Sequence, residues 1–205
     1  MKSNNNRNST SSPISKIIFH DNGKIELYRK KNVPKNALNK TLNNIPYRRF
    51  QLLINPSFTL WENAGSPVGW KGEGISREDD VTNTHNGKSA LRMTAGSYIY
   101  QYISYGLSSN VLYLATIHAR VSTKNLNVPL VANIQFFNDL GAQLGYTTQI
   151  ILDHTTIDTH DHEFKVSAEA PKGTKTASFK LSVETSNGAD NGKSYLIDEV
   201  TFTQY

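Results

Sequence analysis

Tyr98, Tyr100 and Tyr102 alternate with Ile99, Gln101 and Ile103 in the stretch AGSYIYQYISYG. In an extended strand, successive side chains point to opposite faces, so the three rings share one face and the isoleucines take the other. A row of phenol rings on the outside of a sheet presents flat apolar surface with hydroxyl handles. That surface stacks on the C–H faces of sugar rings, provided planar donors and acceptors such as Asn, Gln and Arg stand beside it to meet the hydroxyls. Tyrosine also fits any pleated surface, so the same row suits a strand buried on both sides. A second cluster, DHTTIDTHDHE at residues 153–163, places His160 and His162 two apart among acidic groups. Imidazoles in that spacing suit Zn, Cu or Ni, and the same composition suits a solvated loop.

Chemistry on covalent bonds has little to stand on. Asp79 and Asp80 are adjacent carboxylates in a turn-like stretch, whereas glycoside hydrolysis needs two carboxyls flanking a cleft. The chain has no nucleophile elbow, phosphate loop or HExxH, so no enzymatic activity is expected. With no cysteine, disulfides, thiol catalysis and Cys-based zinc sites are excluded.

Short apolar alternations separated by turn residues must carry these side chains. They fall at 50–54, 89–94, 98–103, 112–121, 130–137, 147–152, 163–168, 176–184 and 194–203, with no amphipathic helix between them. Strands of this length and spacing predict an all-β antiparallel β-sandwich. Alternation assigns Tyr113, Ala115, Ile117 and Ala119 inward, with Leu130, Ala132, Ile134 and Phe136, and with Ala177, Phe179, Leu181 and Val183. The complementary sets then predict one outer face joining Tyr98, Tyr100 and Tyr102 to His118, Arg120, Asn133, Gln135 and Phe137, the candidate ligand-binding residues.

The amino-terminal quarter differs in kind. Residues 1–15 are Asn- and Ser-rich, can bury almost nothing and read as a disordered arm. In KIIFHDNGKIELYRKK, apolar alternation flanks Asp21-Asn22-Gly23, a tight-turn sequence, and predicts a small β-hairpin from about Lys16 to Lys30, followed by a linker to residue 46. The sandwich domain is expected over 47–205. Most of the formal net charge of +5 originates before residue 50, where basic residues far outnumber Asp21 and Glu26. Lys30, Lys31, Arg48 and Arg49 are accompanied by no recognition motif, so docking or solvation is expected of them and a nucleic-acid partner is not. A lone hairpin is marginal in water, so this segment is expected to pack on an assembly partner or a second copy, or on the main domain. The first fifteen residues have no apolar h-region and the chain has no apolar run of about 18 residues, so neither a cleaved secretory signal nor membrane insertion is expected. A virion, spore or cell surface fits this pattern.

From residue 50 onward the order of motifs resembles the galactose-binding-domain-like jelly roll of carbohydrate-binding modules. The motifs are LLINPSF, Gly69-Trp70, HNGKSALRM, YIYQYI, LYLATIHARV, IQFFNDLGAQL, EAPKGTKTASFKLSV and YLIDEVTF. The resemblance implies a jelly roll and a non-catalytic, carbohydrate-binding role on a glycan or polysaccharide. It also places a loop entering a strand at residues 153–163, which makes those histidines solvated. Family members often hold a structural calcium through an opening Glu and a closing Asp. Here Thr59 stands where that Glu would be and Asp198 survives, so the implied ligands are the Asp198 carboxylate and carbonyls near Asn55 and Gly87. The alternative from another class is a structural virion or spore-coat protein that uses the jelly roll for subunit contacts, because one fold serves many functions.

Overall fold

The chain is described from a computed structural model, which covers residues 51–80, 89–122, 128–153, 160–185 and 193–205, together with the backbone of 14–19 and 25–29. It divides into two compact units, Met1–Arg48 and Arg49–Tyr205. In the first, strands β1 (Ile14–Phe19) and β2 (Ile25–Arg29) pair antiparallel with Phe19 opposite Ile25. The expected hairpin is there, and it starts earlier than Lys16: Ile14 and Ser15, assigned to the arm, extend β1 because Ile14 finds a register partner in Arg29. The rest of the arm and the linker lie outside the described residues.

The second unit is all-β. Its strands are β3 (Trp61–Asn63), β4 (Ser66–Pro67), β5 (Lys71–Glu78), β6 (Ala90–Ile103), β7 (Leu112–Val121), β8 (Leu130–Phe137), β9 (Gln143–Leu152), β10 (His162–Glu169), β11 (Thr176–Val183) and β12 (Tyr195–Gln204). All the pairings are antiparallel, and β3 pairs β4 as a small separate ribbon. The long strand β6 is the seam. Leu91–Met93 pair with β12 and Tyr98–Ile103 pair with β11, while β5 runs along its other edge. Two layers therefore diverge from β6: β12, β7 and β10 continue from its first half, and β11, β8 and β9 from its second.

The layers close face to face on aromatic side chains. Tyr113 of β7 meets Phe136 of β8 at 6.0 Å and Phe202 of β12 at 5.4 Å, and Phe179 of β11 meets Phe202 at 6.4 Å, although β7 and β8 share no hydrogen bonds. The inward sets read from alternation are buried as expected, from Tyr113, Ala115, Ile117 and Ala119 to Ala177, Phe179, Leu181 and Val183. Each of the larger side chains among them, such as Ile117, Leu130, Phe136, Phe179 and Leu181, contributes about 1.5–3 kcal/mol through burial, which is why the period-2 pattern locks the register.

Several expected boundaries shift. The separate strands at 89–94 and 98–103 are one strand, β6, which runs on through Thr94–Ser97 with Gly96 at a φ of 79° while the partner changes from β12 to β11. Residues 51–54 form no strand: Gln51 and Leu52 bond individually to β12, with Leu52 N donating to Phe202 O at 2.9 Å and Gln51 Oε1 accepting from Phe202 N at 2.8 Å. Strand β5 was not expected, since KGEGISRE carries two glycines and little alternation. Gly72 explains it. A Cβ there would lie 2.3 Å from the Tyr98 carbonyl oxygen, so glycine is what lets β5 press against β6 beside the tyrosine row.

Candidate functional site

Strands β5, β6, β11, β8 and β9 lie side by side and expose one outer face. Directly paired residues in an antiparallel sheet share a face, so the registers spell out its rows. One row runs Lys71, Tyr100, Lys180, Asn133, Thr148. On one side of it lie Glu73, Tyr98, Ser182, Val131 and Ile150, and on the other Tyr102, Ser178, Gln135 and Tyr146, with Phe137 beyond. The tyrosines are thus on the outside of the sandwich, opposite the buried Ile99 and Ile103.

The rings form a continuous band. Tyr98 and Tyr100 stack at 6.3 Å with 18° between planes, Tyr102 meets Tyr100 edge-on at 5.4 Å, and Phe137 meets Tyr102 at 6.4 Å. Tyr102 is 63% exposed and Tyr146 67%. Lys180 Nζ sits 5.1 Å from the Tyr98 ring centroid, a cation–π contact that holds the ammonium over the band. Asn133 Nδ2 donates to Thr148 Oγ1 at 2.6 Å, which orients the amide. The Tyr98 hydroxyl is held above its ordinary pKa by desolvation first, then by the charge of Glu73, a hydrogen bond with it, and Tyr100. A face of linked aromatic rings rimmed by amides and lysines can stack on and hydrogen-bond a flat polar molecule.

The structure gathers Tyr98, Tyr100, Tyr102, Asn133, Gln135 and Phe137 on this face and separates His118 and Arg120 from it. Both are on β7, in the opposite layer, with their side chains turned outward on the far side of the core. Alternation was read correctly within β7. The layer was not, because it depends on β7 pairing with β12 and β10. His118 there faces carboxylates instead: its Nδ1 is 3.1 Å from Asp161 Oδ2 and its Nε2 3.7 Å from Glu163 Oε2. Glu163 bonds Lys165 at 2.5 Å, and that hydrogen bond, followed by the lysine's charge and that of His118, holds the Glu163 carboxyl below its usual pKa against desolvation.

Tyr146, Lys180 and Lys71 are among the members of the tyrosine face that alternation did not place there. Tyr146 lies one residue before the expected start of its strand, although LGYTTQI already alternates. Lys180 lies between the core residues Phe179 and Leu181, so its outward direction was legible and its position beside Tyr100 was not. Lys71 belongs to the unexpected β5.

The opening segment supports this layer from below. Gln101, on the inward side of β6, donates from Nε2 to Gly69 O at 2.7 Å and Ile54 O at 3.2 Å, and accepts from Ile54 N at 2.7 Å. Trp70 packs against Phe58 at 5.2 Å and Phe179 at 6.3 Å, and its indole donates to Asn55 O at 3.2 Å. The same carbonyl accepts from Phe58 N at 3.2 Å. This bears on the calcium ligands: with both lone pairs turned to N–H donors, the Asn55 carbonyl does not fit a cation. The Phe58 carbonyl likewise accepts from Ser89 Oγ at 2.6 Å and from the Trp61 indole. Asp198 is fully buried, Gly87 lies outside the described residues, and among the described residues no three His, Asp or Glu side chains converge as a cation site.

No family model matches the sequence, and no curated protein matches it. Solved structures do match in fold. The enzymatically active domain of tailspike protein 4 of bacteriophage CBA120 superposes with a TM-score of 0.56 at 15% identity, covering 76% of this chain and 21% of that one. TmCBM61, solved with β-1,4-galactotriose, gives 0.52 at 13% identity, covering 76% of this chain and 99% of the module. The CBM22-1 xylan-binding domain of Paenibacillus barcinonensis Xyn10C gives 0.52 at 14%, covering 76% and 95%. The chain thus has the jelly-roll fold of carbohydrate-binding modules. It spans about a fifth of the tailspike domain and nearly the whole of either module.

Proposed function

We propose that this chain is a non-catalytic carbohydrate-binding module whose ligand lies across the outer face of β5, β6, β11, β8 and β9. The observation that carries this reading is the aromatic band of Tyr98, Tyr100, Tyr102 and Phe137, open on a sheet face with Asn133 and Gln135 alongside. Exposed aromatic patches of this kind mark interaction surfaces, and rings flanked by amides match the apolar faces and hydroxyl edges of sugars. That neighbours of the same fold were solved with galactotriose, or are described as xylan-binding, supports the class of ligand.

Tyr100 is central, so a bound glycan desolvates it most completely. Titration of a polysaccharide panel into wild type and Tyr100→Ala tests the reading. Loss of about 1–3 kcal/mol of binding with only a small shift of the melting curve is expected; binding unaffected by Tyr100→Ala would move the site elsewhere.

A second reading is favoured by the edge strand β9, which presents Leu144, Tyr146 and Ile150, the last 58% exposed, and fits subunit contacts in a virion or coat. We propose further that residues 1–46, which carry the basic excess, attach the module to its assembly. Light scattering of the full chain and of a chain lacking those residues distinguishes the roles. Attachment through them predicts a change of oligomeric state or partner binding with the jelly roll still melting cooperatively.

A further inference from the structure

We propose that the face is built for an acidic glycan, a polymer whose sugar rings carry carboxylates. This rests on the reading of the face as a glycan platform and concerns which glycans it selects. Stacking and amide contacts are sufficient for a neutral sugar, and the face offers more than these. Lys71 on β5 and Lys180 on β11 are the direct cross-strand neighbours of Tyr100, one on either side. Strands in a sheet lie about 4.8 Å apart, so the two lysine stems rise roughly 10 Å from one another with the central ring between them. Each ammonium is carried on a flexible four-carbon stem, that of Lys180 resting over the neighbouring Tyr98 ring, so substituents of a sugar stacked on Tyr100 come within reach of both.

Neither lysine meets a carboxylate within ion-pair distance among the described residues. Three basic groups elsewhere are paired, Lys165 with Glu163, Arg77 with Asp79 and Arg92 with Glu78, whereas Lys172 and Lys175, like the two platform lysines, meet no carboxylate among the described residues. Along the rows of the platform the carboxylate is Glu73, which stands opposite Tyr98 and is tied to its phenol. Around Tyr98 and Tyr100 the platform therefore holds two cations against one carboxylate, and that carboxylate is engaged by the Tyr98 phenol, so one positive charge is in excess. A ligand carboxylate placed over Tyr100 would relieve the repulsion between them, whereas a neutral ring would not. Because the face is open to solvent, this preference is screened by salt over about 10 Å.

The test compares the full chain on polygalacturonate, alginate and hyaluronan, each beside its carboxyl-esterified form, at low and at high sodium chloride, with single-stranded DNA as a non-sugar polyanion. At least one acidic polymer is expected to bind more tightly than its esterified form, with the difference shrinking as salt rises. Lys71→Gln and Lys180→Gln should each weaken that binding about two- to fivefold, the scale of an exposed ion pair, and together abolish the preference with the melting curve unchanged. Equal binding of acidic and esterified forms, or a preference that survives the double variant, overturns the proposal and leaves the platform standing, as does binding of neutral glycans alone. If DNA binds as tightly as the best acidic polymer, charge alone is being recognised and the glycan assignment falls. If no polysaccharide of either charge binds, the platform reading falls too.

Discussion

The two outer faces of the sandwich are made from the same kind of alternating strand and have opposite chemistry. The face of β5, β6, β11, β8 and β9 carries linked aromatic rings and lysines in excess of its carboxylate. The face of β7 and β10 carries His118, Asp161, Glu163 and Lys165, which bond to one another. Exposed ion pairs add little to stability, on the order of 0–1 kcal/mol, but a face that satisfies its own charges has little to offer a ligand. A sheet whose outward residues are left unsatisfied is the one that gains by binding.

Truncations on either side of the tyrosine strand sharpen the contrast most. Ile99 and Tyr100 are chain neighbours on opposite faces, so Ile99→Ala should lower unfolding free energy by about 2–5 kcal/mol in denaturant melts, while Tyr100→Ala lowers it far less. Equal destabilisation would mean that the rings belong to a buried surface. Next in size is Gln101→Ala, which strips partners from Ile54 and Gly69 and should cost about 1–3 kcal/mol, weakening ligand binding indirectly through β6. Its leucine variant fills the volume without restoring the bonds, so recovery of stability there would show that packing, and not hydrogen bonding, holds the opening segment.

Substitutions on the other face should break nothing in binding. His118→Ala and Arg120→Ala are expected to leave glycan affinity within error, in contrast to Gln135→Ala; a clear loss in either would join the two faces functionally. Calcium is expected to leave the melting temperature unchanged, since the Asn55 carbonyl already takes two N–H donors. A rise on adding calcium, abolished by Asp198→Asn, would show that Asp198 gathers a different oxygen set.

The smallest effect concerns Glu163. Its carboxyl is lowered in the folded state by Lys165, so whatever stability it lends is complete above the ordinary carboxylate range and is lost as pH falls through the lowered folded value. Carboxyl NMR titration should find Glu163 below its usual value, and Lys165→Met should bring it back up. Binding at the tyrosine face should not follow that titration.

The period-2 alternation of the chain determined which residues are core, because inversion of any strand would send its whole apolar set into water. Tyr113 to Ala119, Leu130 to Phe136 and Ala177 to Val183 were legible for that reason. The order of short strands and turns pointed to a jelly roll, and the tyrosine row announced a face worth opening. What alternation cannot say is which strands lie side by side. The pairings that build the site join Tyr100 to Lys71 and Lys180, and β12 to β7, across long intervals of chain. Only tertiary pairing could therefore assign His118 and Arg120 to the far layer, bring Tyr146 and the two lysines to the near one, and turn the Asn55 carbonyl toward Trp70. A strand's own residues fix its two faces, whereas its neighbours are chosen by the packing of the whole core.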